Sequence, residues 1–430
     1  MTGESSVLEE AHMKHHSHHQ RGQALVLIVL AIVGLIGLTA LAVDGGNAFT
    51  DRRHAQGAAD AAALAAALAK VHDQNWSQAG LARAADNEYT NDGVRSTVTV
   101  SNPPGPDCDG AIPNPVNLVA DPNDKIEYYI QVIIRSNVDT YFAPVVGVDQ
   151  VHNCVEAIAR ARPAVTTPIA YGNAMVSLHQ SECASFWVQG TAETIVTGSG
   201  VFVNSNCASG NFQAFTQIGD GTLSADSVCV VGGATYEAGE VTPPPQTSCG
   251  TQLPYPPEYI WPQPTCSVDG TRSDGILTPG NIPGSWLGAD VTLQPGIYCI
   301  SGDATINAND VVTGVGVLLY FMDGGLHING GAEINLSAPT TGDYAGLLIY
   351  LPLTNDSLVL LNGNANSTFT GTILAPASEI QINGTGSSYG YHCQIIGLTI
   401  ELIGTADTSI FYDDSANYDI TLPPTIEVVR

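Results

Sequence analysis

LHINGGAEINLSAPTTGDYAGLLIYLP, residues 326–352, contains two short apolar runs of different texture. LHI alternates and closes on Asn329 and Gly330, whereas LLIYL is apolar at every position. Both textures recur after Leu293. ATIN from Ala304, LHING from Leu326, LVLLNG from Leu358, IQING from Ile380 and IELIG from Ile400 form one series. VLLYF from Val317, LLIYL from Leu347, TIL from Thr372 and QIIGL from Gln394 form the other. Starts spaced by roughly 20–30 residues are what successive coils of a parallel β-helix produce. Each coil returns the chain about 4.8 Å along the axis, so apolar residues stack on apolar ones. The expectation for residues 163–430 is a mainly-β domain, a right-handed parallel β-helix. An antiparallel β-sandwich joined by Asn-Gly hairpins has the same short strands and turns and stands as the alternative.

Upstream, VTPPPQTSCGTQLPYPPEYIWPQPTC, residues 241–266, interrupts these strands. Proline has no ladder donor, so this insert reads as a long loop outside any central strand. Residues 94–162 carry VRSTVTVS, YYIQVIIRS and VHNCVEAIARA, three β-branched alternating runs. The α-like patch TYFAPVVGV, residues 140–148, lies between the last two. Before them stands AQGAADAAALAAALAK, residues 55–70, whose alanines favour helix. A helix followed by antiparallel strands is an α+β pattern, assigned to residues 44–162.

Residues 22–43, GQALVLIVLAIVGLIGLTALAV, have no charge and no polar face. About 20 residues at 1.5 Å each cross a 30 Å hydrocarbon layer, so this segment reads as a transmembrane helix. It is longer than the apolar core of a cleaved signal and runs straight on into the alanine helix, which favours a retained anchor. Lys14 and Arg21 precede it and Asp44 follows, with Arg52 and Arg53 further on. The positive-inside rule then places the His-rich tail, residues 1–21, in the cytoplasm and the rest of the chain outside it.

The net charge of −28 lies mostly beyond Pro163, where 23 acidic residues meet only Arg272 and Arg430. Nucleic-acid binding rests on Lys and Arg meeting phosphates, so that partner is excluded. All nine cysteines follow the span and none forms a CxxC pair. Disulfides in an oxidising exterior fit better than zinc or redox sites. Proximity suggests Cys183–Cys207 and Cys249–Cys266, with at least one thiol left over.

Catalytic chemistry has few candidates. Asp303, Asp310 and Asp323, or Asp413 and Asp414, would have to supply a glycosidase acid pair, and Arg272 a lyase base. Each acid reads first as a solvated turn residue. Asp413 and Asp414 lack the spacing of known calcium loops. His12, His15, His16, His18 and His19 read as a tail rather than a metal site, although imidazole is a common ligand. Trp187, Trp261 and Trp286 are candidates for stacking on sugars. No GxSxG, HExxH or GxxxxGK[ST] motif occurs. No catalytic, cofactor or metal residue is therefore assigned, and the chain reads as a non-enzyme.

Two stretches resemble a known family. RGQALVLIVLAIVGLIGLTALAVDGGNAF followed by AADAAALAAAL is similar to the N-terminal segment of TadG-like Flp pilus-assembly proteins, within the TadE/TadG-like group. Gly22, Asp44 and the run from Ala58 to Ala63 carry the likeness. Residues 128–161 resemble that group's later strands, and the segment after Leu293 resembles β-helical passengers behind such N-termini. Pilins cut by prepilin peptidase carry a glutamate where this chain has Leu27, which argues against cutting after Gly22. The resemblance implies a structural protein of the bacterial envelope acting in pilus assembly, surface attachment or a surface structure. Its implied partners are the membrane, pilus or secretion-apparatus proteins and further copies of itself. A carbohydrate-binding adhesin with surface glycans as ligands, or a polysaccharide-degrading β-helix enzyme, are the alternatives.

Overall fold

A computed structural model describes residues 23–111, 124–362, 366–383 and 390–429. The cytoplasmic-tail expectation, with its histidines, Lys14, Arg21 and Gly22, lies outside these residues. The chain divides into two compact units, Met1–Pro163 with Pro424–Arg430, and Ala164–Pro423.

In the first unit, helix α1 (Gln23–Val71) continues the apolar segment through Gly45 and Gly46 into the alanine run. Its 49 residues make it about 73 Å long. The large apolar side chains between Leu25 and Val43 are exposed, whereas Ala55, Ala58, Ala59, Ala62, Ala63, Ala66 and Ala67 are buried. One helix thus carries two surfaces. The alanine face packs on Ile130, Val132, Ile134, Val155, Ala157 and Ala159. Those residues come from an antiparallel sheet of β1 (Ser96–Ser101), β2 (Tyr129–Asp139) and β3 (Gln150–Arg162), in that order. Helix α2 (Trp76–Asp86) closes the layer. Asn75 caps it by accepting the Gln78 N–H at 3.1 Å. A Cβ on Gly80 would meet Val100 at 3.1 Å and the Ala66 Cβ at 3.3 Å, so small residues set the spacing of α1, α2 and β1.

The sheet gains a fourth strand, Thr425–Val428, antiparallel to β3. The chain's end therefore belongs with the first unit, although a single domain was expected over residues 163–430. The TYFAPVVGV patch forms a 3₁₀ turn at Ala143–Val146. Cys108–Cys154 ties the loop after β1 to β3.

The second unit is mainly β, with parallel sheets. One ladder runs Val241–Thr242, Thr222–Ser224, Glu193–Thr197, Thr408–Phe411, Tyr391–His392, Thr368–Thr370, Glu333–Ser337, Val311–Val315, Val291–Leu293 and Ile276–Leu277. Every step in it is parallel. Arg272–Ser273 closes one end with an antiparallel pair. A second ladder contains VLLYF, LLIYL, TIL and QIIGL, and a third contains ATIN, LHING, LVLLNG, IQING and IELIG. These strands pair in parallel with one another, which removes the sandwich's antiparallel pairing. Partners in the third ladder lie about 20–33 residues apart. Aromatic neighbours stack along the ladders, with Phe369 and Tyr391 at 5.0 Å and Phe186 and Phe215 at 5.6 Å.

The order of strands reveals a path that residue spacing did not. The chain enters the first ladder at Glu193–Thr197, moves outward to Val241–Thr242, and re-enters at the opposite end, Ile276–Leu277. It then returns strand by strand until Thr408–Phe411 lies beside Glu193–Thr197. The Pro-rich insert makes the crossing, about 40 Å at 4.8 Å per strand. It runs as a strap rather than a free loop. The Leu253 N–H donates to Asn204 at 2.7 Å, the Tyr255 hydroxyl to Pro376 O at 3.2 Å, and the Ile260 N–H to Thr421 O at 2.9 Å.

This path corrects one disulfide. Cys183–Cys207 forms as expected, but Cys249 pairs with Cys229 and Cys266 with Cys299. Each of the two expected partners pins the strap near a different end of the stack. Cys393 is free and buried.

The strap also explains the continuous apolar runs. Val317, Leu319 and Phe321 face the main core. Leu318, Leu347, Tyr350 and Leu374 face a second cluster with Leu253, Tyr255, Tyr259 and Trp261 of the strap. A strand covered on both faces is apolar throughout, whereas the half-exposed EINLS (Glu333–Ser337) alternates.

Candidate functional site

In the first unit a cluster of hydrogen-bonded polar side chains lies where the exposed part of α1 ends. The Asp44 carboxylate is only 4% exposed and accepts the N–H groups of Tyr141, Phe142 and Ala143 at 2.9, 2.9 and 2.7 Å. Burial pushes its carboxyl up, but the three amide donors together outweigh that and hold it below the usual carboxylate range. Two helical turns on, Asp51 gathers the Tyr89 hydroxyl at 3.0 Å, Ser136 Oγ at 2.5 Å and Asn153 Nδ2 at 2.7 Å. Burial, then the Asp51 hydrogen bond, raise the Tyr89 phenol. A groove of about 560 Å³ opens here, lined by Asn47, Asp51, His54, Tyr89, Arg95 and Asp139 among others.

The acid candidates of the second unit are spent on turns. Asp310 accepts the N–H groups of Asn307 at 2.8 Å and Ala289 at 3.0 Å. Asp303 accepts from Gly325 at 2.8 Å, and Asp323 accepts from Gly302. The Asn307 bond closes Asp310's own turn, whereas the Ala289, Gly325 and Gly302 bonds cross from one strand level to the next, so the acids staple adjacent turns. Asp413 accepts the Ser415 N–H at 3.0 Å, and Asp414 accepts the Tyr412 hydroxyl at 2.7 Å. Arg272 donates to Gly288 O at 2.9 Å at the closed end of the ladder. Among the described residues, no group of three or more His, Cys, Asp or Glu is arranged to hold a metal ion.

One acid pair had no sequence signal. Glu379 and Glu401 flank Gln381, whose amide lies 3.1 Å from Glu401. Burial first, then the neighbouring Glu379, raise the Glu401 carboxyl. These residues meet only through the ladder register Gln381↔Glu401.

The three tryptophans are not brought together. Trp187 is half-buried against Phe212, Trp261 packs edge-on to Tyr259 at 5.6 Å, and Trp286 packs on the main core. A mostly apolar pocket of about 230 Å³ lies beside the strap, lined by Thr167, Pro168, Tyr171, Leu253, Pro254, Pro257, Glu258, Tyr259 and Leu422. Tyr171 is its exposed aromatic.

An exposed apolar helix joined to a small α+β layer, followed by a disulfide-stapled mainly-β unit, fits a single-pass membrane protein. Residues 22–69 match the family model described as Flp pilus-assembly TadE/G-like, so this segment is a domain of that type. Residues 290–416, the returning leg of the ladders, match a domain of unknown function (DUF7305). No curated protein and no solved structure matches the chain.

Proposed function

We propose that this chain is a membrane-anchored structural protein of the bacterial cell envelope, acting in pilus assembly, surface attachment or the building of a surface structure. The observation that carries the reading is the TadE/G-like match over residues 22–69, coinciding with the exposed apolar helix. In this reading the N-terminus is cytoplasmic and the unit Ala164–Pro423 lies outside the membrane. Four disulfides support an oxidising location. The second unit acts as a right-handed parallel β-helix, each coil contributing a strand to each ladder. Its role is to project a stiff surface, with pilus or secretion-apparatus proteins or further copies as partners. Turn-stapling by Asp303, Asp310 and Asp323 supports a non-catalytic role. Deleting the gene and counting pili, with attachment measured in parallel, tests the reading. Lost piliation or attachment, restored by the full chain, is expected; unchanged values of both would overturn it.

A second reading, a carbohydrate-binding adhesin, is favoured by the pocket beside the strap. Tyr171 offers an aromatic face and Glu258 an acceptor for sugar hydroxyls. Glycan-array binding by the full chain, lost in Tyr171→Ala or Trp261→Ala, is the required result; a silent array removes it.

A further inference from the structure

Asp44 directly follows Val43, the last residue of the apolar segment. It holds the start of the 140–148 loop by three backbone amides. That loop presents Tyr141 (74% exposed), Val145 (77%), Phe142 and Val148 to the outside. TYFAPVVGV contains no charge, and Asp139 and Asp149 stand at its roots. On α1 itself Phe49 is exposed, with the Arg53 guanidinium 5.9 Å from its ring centre.

Twenty residues from Ala24 to Val43 rise about 30 Å, the thickness of a bilayer's hydrocarbon core. Asp44 then lies at its outer boundary, and the loop clasped to it lies at the same height. Tyrosine and phenylalanine beside valines suit this layer, where apolar bodies are buried and polar tips stay wet. A carboxylate at that depth is costly unless hydrogen-bonded, and the loop's own amides meet this requirement.

We propose that the 141–148 loop is a second membrane contact, inserting Tyr141, Phe142, Val145 and Val148 into the headgroup–acyl boundary of the leaflet where α1 emerges. The inference rests on α1 being a membrane span. Its occupant is phospholipid, because the patch is continuous with the lipid-facing surface of α1 through Asp44. Anchor and loop together form a two-point footing that restricts how the first unit tilts on the membrane.

Nitroxide labelling tests this on the full chain in phosphatidylcholine–phosphatidylglycerol vesicles. Eight cysteines are in disulfides and Cys393 is buried, so an introduced cysteine is the reactive one. Labels go on Val145→Cys, on Leu30→Cys in the span, and on His72→Cys, just past the far end of α1 and about 40 Å from Asp44. The readout is relaxation by oxygen, which concentrates in lipid, against a water-soluble nickel chelate. The expected oxygen-to-nickel ratio is highest at 30, intermediate at 145 and lowest at 72. A ratio at 145 equal to that at 72, with 30 still high, overturns the loop contact alone. A low ratio at 30 overturns the membrane span and the inference with it. A label at 145 shielded from both reagents means that protein covers the loop, which also overturns the proposal.

Discussion

The Asp124 carboxylate has no exposed side-chain area and lies 2.8 Å from Arg160, beside Arg162 and 3.0 Å from the Tyr129 hydroxyl. Burial alone raises its carboxyl, but hydrogen bonds from Arg162, Arg160 and Tyr129 together bring it below the usual range. A group depressed in the folded state contributes stability above its unfolded value of about 3.9. That contribution is lost as the pH falls through the folded value, so acid weakens this corner of the first unit. Removing one member of a buried, paired set leaves the others uncompensated. Asp124→Ala is expected to cost about 3–5 kcal/mol in urea unfolding, with a flatter acid limb than the parent. The partners were invisible in sequence. Arg160 and Arg162 sit two apart on a strand, but nothing marks Asp124 among the other acids as their partner. Asp303, Asp310 and Asp323 show the converse: the sequence showed turn acids, and their partners one level along needed the fold.

At the scale of elements, the alanine face was legible because alanine both favours helix and leaves room for a sheet to approach. Overpacking is its failure mode. Ala66→Leu, beside Gly80 and Val100, is expected to cost about 1–3 kcal/mol, read as a lower unfolding midpoint. Two of the three ladders were legible, since the second is apolar on both faces and the third closes on Asn-Gly. The remaining one was not, because EINLS and TFT carry ordinary half-polar alternation with nothing to set them apart. The strap was legible as lying outside the central strands but not as a path, and its first residues add end strands at Val241–Thr242 and Gln246–Thr247. Its proline content keeps it out of the central strands without saying where its ends lie, so nearness in sequence misled the pairing of Cys249. Mass mapping of the unreduced protein is expected to return Cys229–Cys249 and Cys266–Cys299 peptides. Recovery of a Cys249–Cys266 peptide would contradict the strap. Phe369→Ala, in the aromatic stack with Tyr391, is expected to cost about 3–5 kcal/mol of the second unit's stability.

For the whole molecule, the chain crosses between its two units twice, at residues 163–164 and 423–424. The return adds Thr425–Val428 to β3 and brings Glu427 within 2.7 Å of Arg160. A chain ending at Pro423 is therefore expected to expose β3 as a sheet edge and to be cut there sooner by limited proteolysis. A strand so far along the chain gave no sign of its partner, since edge pairing leaves no spacing in the sequence. The long apolar helix, in contrast, was plain from length and composition, and its exposed surface fits a membrane span. The proposed function requires this helix to hold the mainly-β unit outside the cytoplasm. Protease added to intact spheroplasts making the full chain, tagged at each end, tests it most directly. The account predicts loss of the C-terminal tag while the N-terminal tag stays intact in the membrane pellet; a protected C-terminal tag, or an N-terminal tag released to the soluble fraction, would contradict it.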